Sequence, residues 1–400
     1  MKIARVGALG SEKPVVVEGD QAIDVSSLVS DWNRTELENG GYEKVAKADL
    51  SKLARTPLAG LRYGSPVARP TKVICVGLNY IAHIAETGAD TPKEPVIFMK
   101  APDSVIGPND DIVIPPNSTA TDYEVELAIV IGKRALYLDS PKDSAAHILG
   151  YTISQDVSER HWQIERSGQW VKGKSFPTFN PIGPVIVSSD SINPHNLRLW
   201  CEVDGVMKQD SNTNDLLFGI DHIVWYISQF MELFPGDVIN TGTPFGVGLG
   251  FKPPVYLHGG QKIRTGIDGI GEIRNNLSLD PKLRELAMCG VAVLNGAEYE
   301  FFHHAPPFKK AGGTEEQVQA IRLIGQANFP KYLFNQVEND TLDLTYQMTR
   351  NIKVDGELMK RLHQDLESTK IVELVTVVAA YNMVSRFLIA LDVNPEDHPP

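Results

Sequence analysis

Cysteine is scarce in this chain of 400 residues: Cys75, Cys201 and Cys289 stand far apart, and no C-x-x-C pair occurs. That argues against a disulfide framework and a cysteine-ligated metal site, and it fits a reducing compartment. No Lys/Arg-rich run interrupts a sequence whose formal net charge is -12, so neither nucleic acid nor an anionic membrane is an expected partner. The start, MKIARVGALGSEKP, lacks the apolar stretch of a signal peptide, and no run is expected to reach membrane-spanning length. A cytoplasmic protein is the expectation. A G-x-G-x-x-G turn in a βαβ setting and a G-x-S-x-G elbow are also missing, which leaves serine-nucleophile chemistry and an organic cofactor without local support. No internal repeat or low-complexity stretch is seen.

What is present is a composition of 42% apolar and 22% charged residues, enough for a sizeable core and long enough for two or three domains. The expected fold class is multidomain α+β. Residues 1–70 mix short β-like runs (KIARVGAL, KPVVVEG) with a polar helical stretch, as a small α+β lead-in domain. Residues 71–277 carry short β-branched runs between regular turn signals, as a mostly-β domain broken by one helical run, Leu217 to Leu233. Residues 278–400 show only helical periodicity and read as a separate all-α domain, opened by Asp280 as N-cap and Pro281 at the first helical position.

The middle segment holds the chemistry. In DYEVELAIVIGK, Glu124 and Glu126 share one face of a strand, and Asp156 follows another β-like run in GYTISQD. Three carboxylates would form an all-oxygen site suited to Mg²⁺, Mn²⁺ or Ca²⁺, with positions open to water and substrate. The plainer alternative is a solvated edge strand. GLNYIAHIAETG places Asn79, His83 and Glu86 at helical spacing, so His83 and Glu86 form either a general-base pair or a surface ion pair. Lys172 and Lys174 sit in a Gly/Pro-bounded loop. The glycine-dense FPGDVINTGTPFGVGLG, with Thr241 and Thr243, is expected to let backbone amides hold a small carboxylate.

Taken together, GLNYIAH, YEVELAIVIGK, GYTISQDVSERHWQ, KGKSF, QDSNTNDLLF and PGDVINTGTPFGVG resemble the fumarylacetoacetate hydrolase family in order and spacing. The resemblance implies a metal, Mg²⁺ or Mn²⁺, on Glu124, Glu126 and Asp156. It implies His83 and Glu86 as the pair that activates water and Lys174 as the catalytic lysine. It also implies Asn79, Tyr80, Arg160, Gln163, Gln209 and Thr243 as substrate contacts. One departure is Pro177 in KSFPTF, where the family often has Asp. The implied activity is hydrolysis of a C–C bond in an acylpyruvate or other 2,4-diketo acid. Decarboxylation, isomerisation or hydration of a 2-oxo acid on the same metal is the alternative, and a non-catalytic metabolite binder a further one.

The stretch from ELAMCGVAVLNG through EEQVQAI, with the later IVELVTVVAAYNMVSRFL, resembles the carboxymuconolactone decarboxylase family. Cys289 alone excludes the thiol chemistry of relatives that need a C-x-x-C pair. Glu300 and His304, four apart, are a possible second acid/base site, against the plainer reading of packing or assembly. The apolar last helix is expected in a core or a subunit interface, and the resemblance implies a homo-oligomer.

Overall fold

The computed structural model of the chain describes residues 1–115, 118–366 and 368–393. It divides into two compact units: residues 1–113, 119–257 and 262–276 form the first, and residues 114–118, 258–261 and 277 onward the second.

The first unit is built on a mixed sheet of 11 strands. Its path runs Arg55–Pro57, Gln21–Asp24, Lys13–Glu18, Lys2–Val6, Asn180–Ser188, Ile148–Gln155, Val125–Ile131, Val238–Asn240, Val73–Gly77, Val96–Lys100, and the eleventh strand, Val105–Ile106, pairs parallel with Asn180–Ser188 off this path. Neighbours along the path are antiparallel except Val238–Asn240 with Val73–Gly77. Val125–Ile131 is buried at every residue, which is why VELAIVI shows no polar alternation past Glu126. A second sheet of four strands orders Val206–Asn212, Arg198–Val203, Lys262–Ile267 and Gly271–Asn276.

The lead-in falls within the first compact unit. Lys2 and Ile3 register against Val187 and Ile186, so residues 1–70 extend the same sheet. Ile3, Val16, Ile23 and Trp32 share one apolar cluster with Val130, Leu149 and Ile186. Periodicity marks these segments as strands but carries no information on which edge they complete. The helical run expected over Leu217 to Leu233 is the helix Ile220–Ser228.

In the second unit, Pro281–Asn295 is capped by Asp280, whose carboxylate accepts from the Lys282 N–H at 2.7 Å. Gly296 (φ +76) ends this helix in the left-handed region and Glu298–Lys310 begins a new one. Glu315–Ile321, Gln336–Arg350, Gly356–Asp365 and Ser368–Ala390 complete it. The expectation that no run reaches membrane-spanning length is corrected by Lys370–Ala390, 21 residues that suffice by length and composition. Core helices of soluble proteins pass the same test. This one buries Ile371, Leu374 and Val378 against its own unit and exposes Val372, Met383 and Phe387.

Candidate active site

Two antiparallel neighbours of the main sheet end side by side, and their ends bring the carboxylates together. Glu126 registers with Ser154 and Val125 with Gln155, while the Asp156 N–H donates to the Glu124 carbonyl at 2.9 Å. Ligand oxygens of Glu124, Glu126 and Asp156 thereby lie within 4.8 Å of one another. The strand is interior, and Glu124 and Glu126 are only 5% and 2% exposed. A solvated edge is therefore the wrong picture.

Burying three acids requires compensation. Lys174 Nζ donates to Glu124 Oε2 at 2.5 Å and to Asp156 Oδ2 at 2.9 Å. Arg160 pairs with the other Glu124 oxygen at 2.7 Å, and Lys100 donates to Asp156 Oδ1 and to the Val157 carbonyl. Burial pushes the Glu124 carboxyl up, but Lys174 and Arg160 outweigh it and hold the group at about 2. Glu126 accepts from the Gly242 N–H at 2.8 Å and has no ion-pair partner among the described residues. Burial, then the charges of Asp156 and Glu124, push its carboxyl well up. Hard oxygen donors with one acid left uncompensated fit a divalent cation.

The helix Ile81–Thr87 presents the candidate base. Asp215 accepts from the Ala82 N–H at 3.1 Å in its first turn, and Gly88 (φ +67) ends it. His83 Nδ1 lies 2.9 Å from Glu86 Oε2. With Nδ1 donating to Glu86, Nε2 is left free to accept a proton.

The glycine-rich loop performs a different task from the one its sequence suggests. Its amides hold the protein's own acids. Gly242 N–H donates to Glu126, Gly246 N–H to Glu86 Oε1 at 2.9 Å, and the amides of Gly248 and Leu249 to Asp122 at 2.7 and 3.0 Å. Asp122 in turn pairs with Arg160 at 2.7 Å. Positive φ at Gly242 (+101) and Gly246 (+95) turns those amides inward. A Cβ on Gly246 would fall 2.0 Å from the Lys208 carbonyl oxygen.

A cavity of about 330 Å³ opens over these groups, with His83, Glu124, Glu126 and Lys174 among its lining. Of the expected substrate contacts, Arg160, Gln163 and Thr243 line it, whereas Asn79, Tyr80 and Gln209 do not. The Asn79 amide is committed to the backbone of Phe218 and Thr241. Gln209 accepts from the Val125 N–H at 3.0 Å and donates to Thr243 and Pro244, which steadies the start of the acid-bearing strand. Tyr80 is fully buried with an unpartnered hydroxyl, and burial pushes its pKa well up. Gly173 lies so close to the π-helical turn His161–Glu165 that a Cβ would meet the Glu159 carbonyl at 2.4 Å, which explains glycine beside Lys174 in KGKSF.

Sequence reasoning missed Lys100, Asp122 and Trp170. Asp122 was legible, since it precedes Glu124 by two residues as Glu124 precedes Glu126. Lys100 ends an apolar strand like many surface lysines, and nothing local marks its burial. Trp170 packs on the backbone at Gly77, a contact between distant segments.

In the helical unit, Glu300 and His304 do not pair with each other. His304 Nδ1 lies 2.8 Å from Glu285 Oε2, on the preceding helix, and Ser385 donates to Glu300. Helix packing, not the four-residue spacing, selects the partner. Burial pushes Glu285 up, but the hydrogen bond and charge of His304 outweigh it and leave the carboxyl below its ordinary value. Burial raises Glu300, and it raises the Cys289 thiol as well.

Comparison with known proteins places this arrangement. Residues 72–278 match the fumarylacetoacetate (FAA) hydrolase C-terminal family, and residues 270–328 the carboxymuconolactone decarboxylase family. A mitochondrial oxaloacetate tautomerase of Bos taurus is 46% identical over 266 residues, 65% of this chain and 84% of that protein. The fumarylacetoacetate hydrolase of Exiguobacterium antarcticum superposes with a TM-score of 0.62 at 37% identity, covering 70% of this chain and 99% of that one. A maleylpyruvate hydrolase of Sphingobium sp. SYK-6, solved with manganese(II) and pyruvate, gives 0.59 at 30% identity over 70% and 99%. The chain belongs to the fumarylacetoacetate hydrolase family, whose members include hydrolases and tautomerases of acylpyruvate-like substrates, and it carries a carboxymuconolactone decarboxylase family domain behind that core.

Proposed function

We propose that this chain hydrolyses a carbon–carbon bond of an acylpyruvate or related 2,4-diketo acid, with Mg²⁺ or Mn²⁺ held by Glu124, Glu126 and Asp156. The observation that carries the reading is one cavity lined by Glu124, Glu126 and His83, with Asp156 clustered on the two glutamates and Glu86 hydrogen-bonded to His83. A cation bound there supplies electrophilic stabilisation to the 2-oxo acid and to the enolate left by the breaking bond. His83, oriented by Glu86, takes a proton from water, and the hydroxide adds to the distal carbonyl. The bond to the adjacent CH₂ then breaks, the acyl part leaves as a carboxylate, and the enolate carbon is protonated to pyruvate. Lys174 and Arg160 keep fixed positive charge where negative charge develops. Gln163 and Thr243 offer hydrogen-bonding groups along the same lining. The manganese and pyruvate held by the Sphingobium relative support this assignment.

A second reading is favoured by the similarity to the tautomerase: His83 relays a proton between carbon and oxygen of a 2-oxo acid without attack by water. Stripping divalent ions and following the enol absorbance of 2,4-diketo acids, with Mg²⁺ or Mn²⁺ added back, tests the first reading. Unchanged turnover without metal refutes it. Loss of the enol band with no acid fragment formed favours tautomerisation. The helical unit is read as a module for assembly into a homo-oligomer.

A further inference from the structure

Lys174 stands at the end of Val171–Lys174, a single helical turn of four residues. One turn is not stable by itself, so its place is set by what packs around it. Gly173 supplies one contact, against the Glu159 carbonyl and the Gln163 amide. Trp170, which opens the turn, supplies the other. Its carbonyl accepts from the Gly173 N–H at 3.0 Å, and its ring reaches two neighbouring strands of the main sheet. There it meets Phe98 edge-to-face, with ring centroids 5.3 Å apart, and lies on the backbone of Gly77. A Cβ on Gly77 would fall 2.3 Å from the ring, and the three atoms nearest to it all belong to Trp170. Gly77 lies outside the left-handed region, so room for this ring, not backbone conformation, is what glycine provides.

Lys174 Nζ reaches Glu124 Oε2 and Asp156 Oδ2 at once, which leaves the backbone that carries it little freedom. The ring wedged between Gly77 and Phe98 fixes the turn where it begins. Ser175 Oγ, accepting from the Ala101 N–H at 2.9 Å, fixes it where it ends. Trp170 thus ties the lysine to the sheet through its ring, 5.3 Å from the same Phe98 ring that Lys174 Nζ approaches to 5.2 Å.

Resting on the function proposed above, we infer that Trp170 is a positioning residue for Lys174, keyed into the sheet by Gly77. Gly77→Ala should push the ring back by about 1 Å, to ordinary van der Waals contact, and lower turnover of a 2,4-diketo acid roughly 100-fold. Trp170→Phe lacks the outer ring that the new Cβ would strike. Added to Gly77→Ala, it should restore turnover to within about threefold of Trp170→Phe alone. Calorimetric titration of the full chain with Mn²⁺ separates this role from general damage. A displaced Lys174 withdraws positive charge from Glu124 and Asp156, so Gly77→Ala should bind Mn²⁺ at least about threefold more tightly, in the direction of Lys174→Met. Damage to the site would weaken that binding instead. Trp170→Leu, which removes the ring without adding a clash, gives the same titration should Gly77→Ala not fold. Mn²⁺ binding no tighter in these variants, or no rescue by Trp170→Phe, overturns the inference while leaving the metal chemistry standing. Failure of the unaltered chain to bind Mn²⁺ overturns the underlying reading, and this one with it.

Discussion

Replacing Gly246 by alanine should disarm the His83–Glu86 pair without touching either residue. At φ +95 an L side chain costs about 1–2 kcal/mol in backbone strain. The added Cβ would stand 2.0 Å from the Lys208 carbonyl oxygen, a backbone atom, so the loop must shift. That shift breaks the 2.9 Å bond from the Gly246 N–H to Glu86, worth about 1.5–3 kcal/mol with a charged acceptor. The sum, about 2.5–5 kcal/mol, is within the stability of an ordinary domain of about 5–15 kcal/mol, so the protein should still fold. A displacement of about 1 Å at the base is enough to lower turnover roughly 100-fold. All five tryptophans, Trp32, Trp162, Trp170, Trp200 and Trp225, lie in the first unit, so tryptophan fluorescence in urea follows that unit alone. Gly205→Ala is the control: φ is +76 and nothing lies within 4 Å, so strain alone should cost about 1 kcal/mol and spare turnover. If Gly246→Ala turns over within about threefold of the unaltered chain, against the roughly 100-fold loss expected, the loop does not position the base. Destabilisation no greater than that of Gly205→Ala would refute the stability argument.

Glu126→Gln should abolish divalent binding in calorimetry while the thermal midpoint of the metal-free chain holds or rises, because an acid without an ion-pair partner is removed from the interior. His83→Ala should leave that binding intact and lower hydrolysis by about 10²–10⁴, and intact hydrolysis would remove His83 from the mechanism. In the helical unit, burial raises Glu300 above its ordinary value of 4.5, so its contribution to stability is full below about pH 4.5 and is lost as pH rises through the folded value. Glu300→Gln should therefore raise the thermal midpoint followed by far-UV circular dichroism at pH 8, with the difference shrinking toward pH 4. Met383→Glu with Phe387→Glu, both on the exposed face of Ser368–Ala390, should reduce the sedimenting mass if that face joins copies, and an unchanged mass would place any interface elsewhere.

Local chemistry was the legible part of the sequence. The alternation Glu124, Glu126 and the three-residue step from His83 to Glu86 are short-range facts, and backbone geometry converts each into a shared face. Pairing across the chain was not legible. The partner of Lys2–Val6, the burial of Lys100 against Asp156 and the choice of Glu285 over Glu300 by His304 depend on residues far away in sequence. The glycine-rich loop lies between these cases. Its composition showed that amides would approach carboxylates closely, but not whose carboxylates they would be.

The continuity of the main sheet sets how this protein can be cut and recombined. Removing residues 1–70 would strip the partner from the Ile186–Val187 end of Asn180–Ser188 and lay open unpaired amides and carbonyls there, on a mostly buried strand. Such a fragment would offer a template for aggregation before it offered an enzyme. The family core and its lead-in therefore form one sheet, and a shuffled or shortened version has to respect the first strand as strictly as the acids of the candidate site.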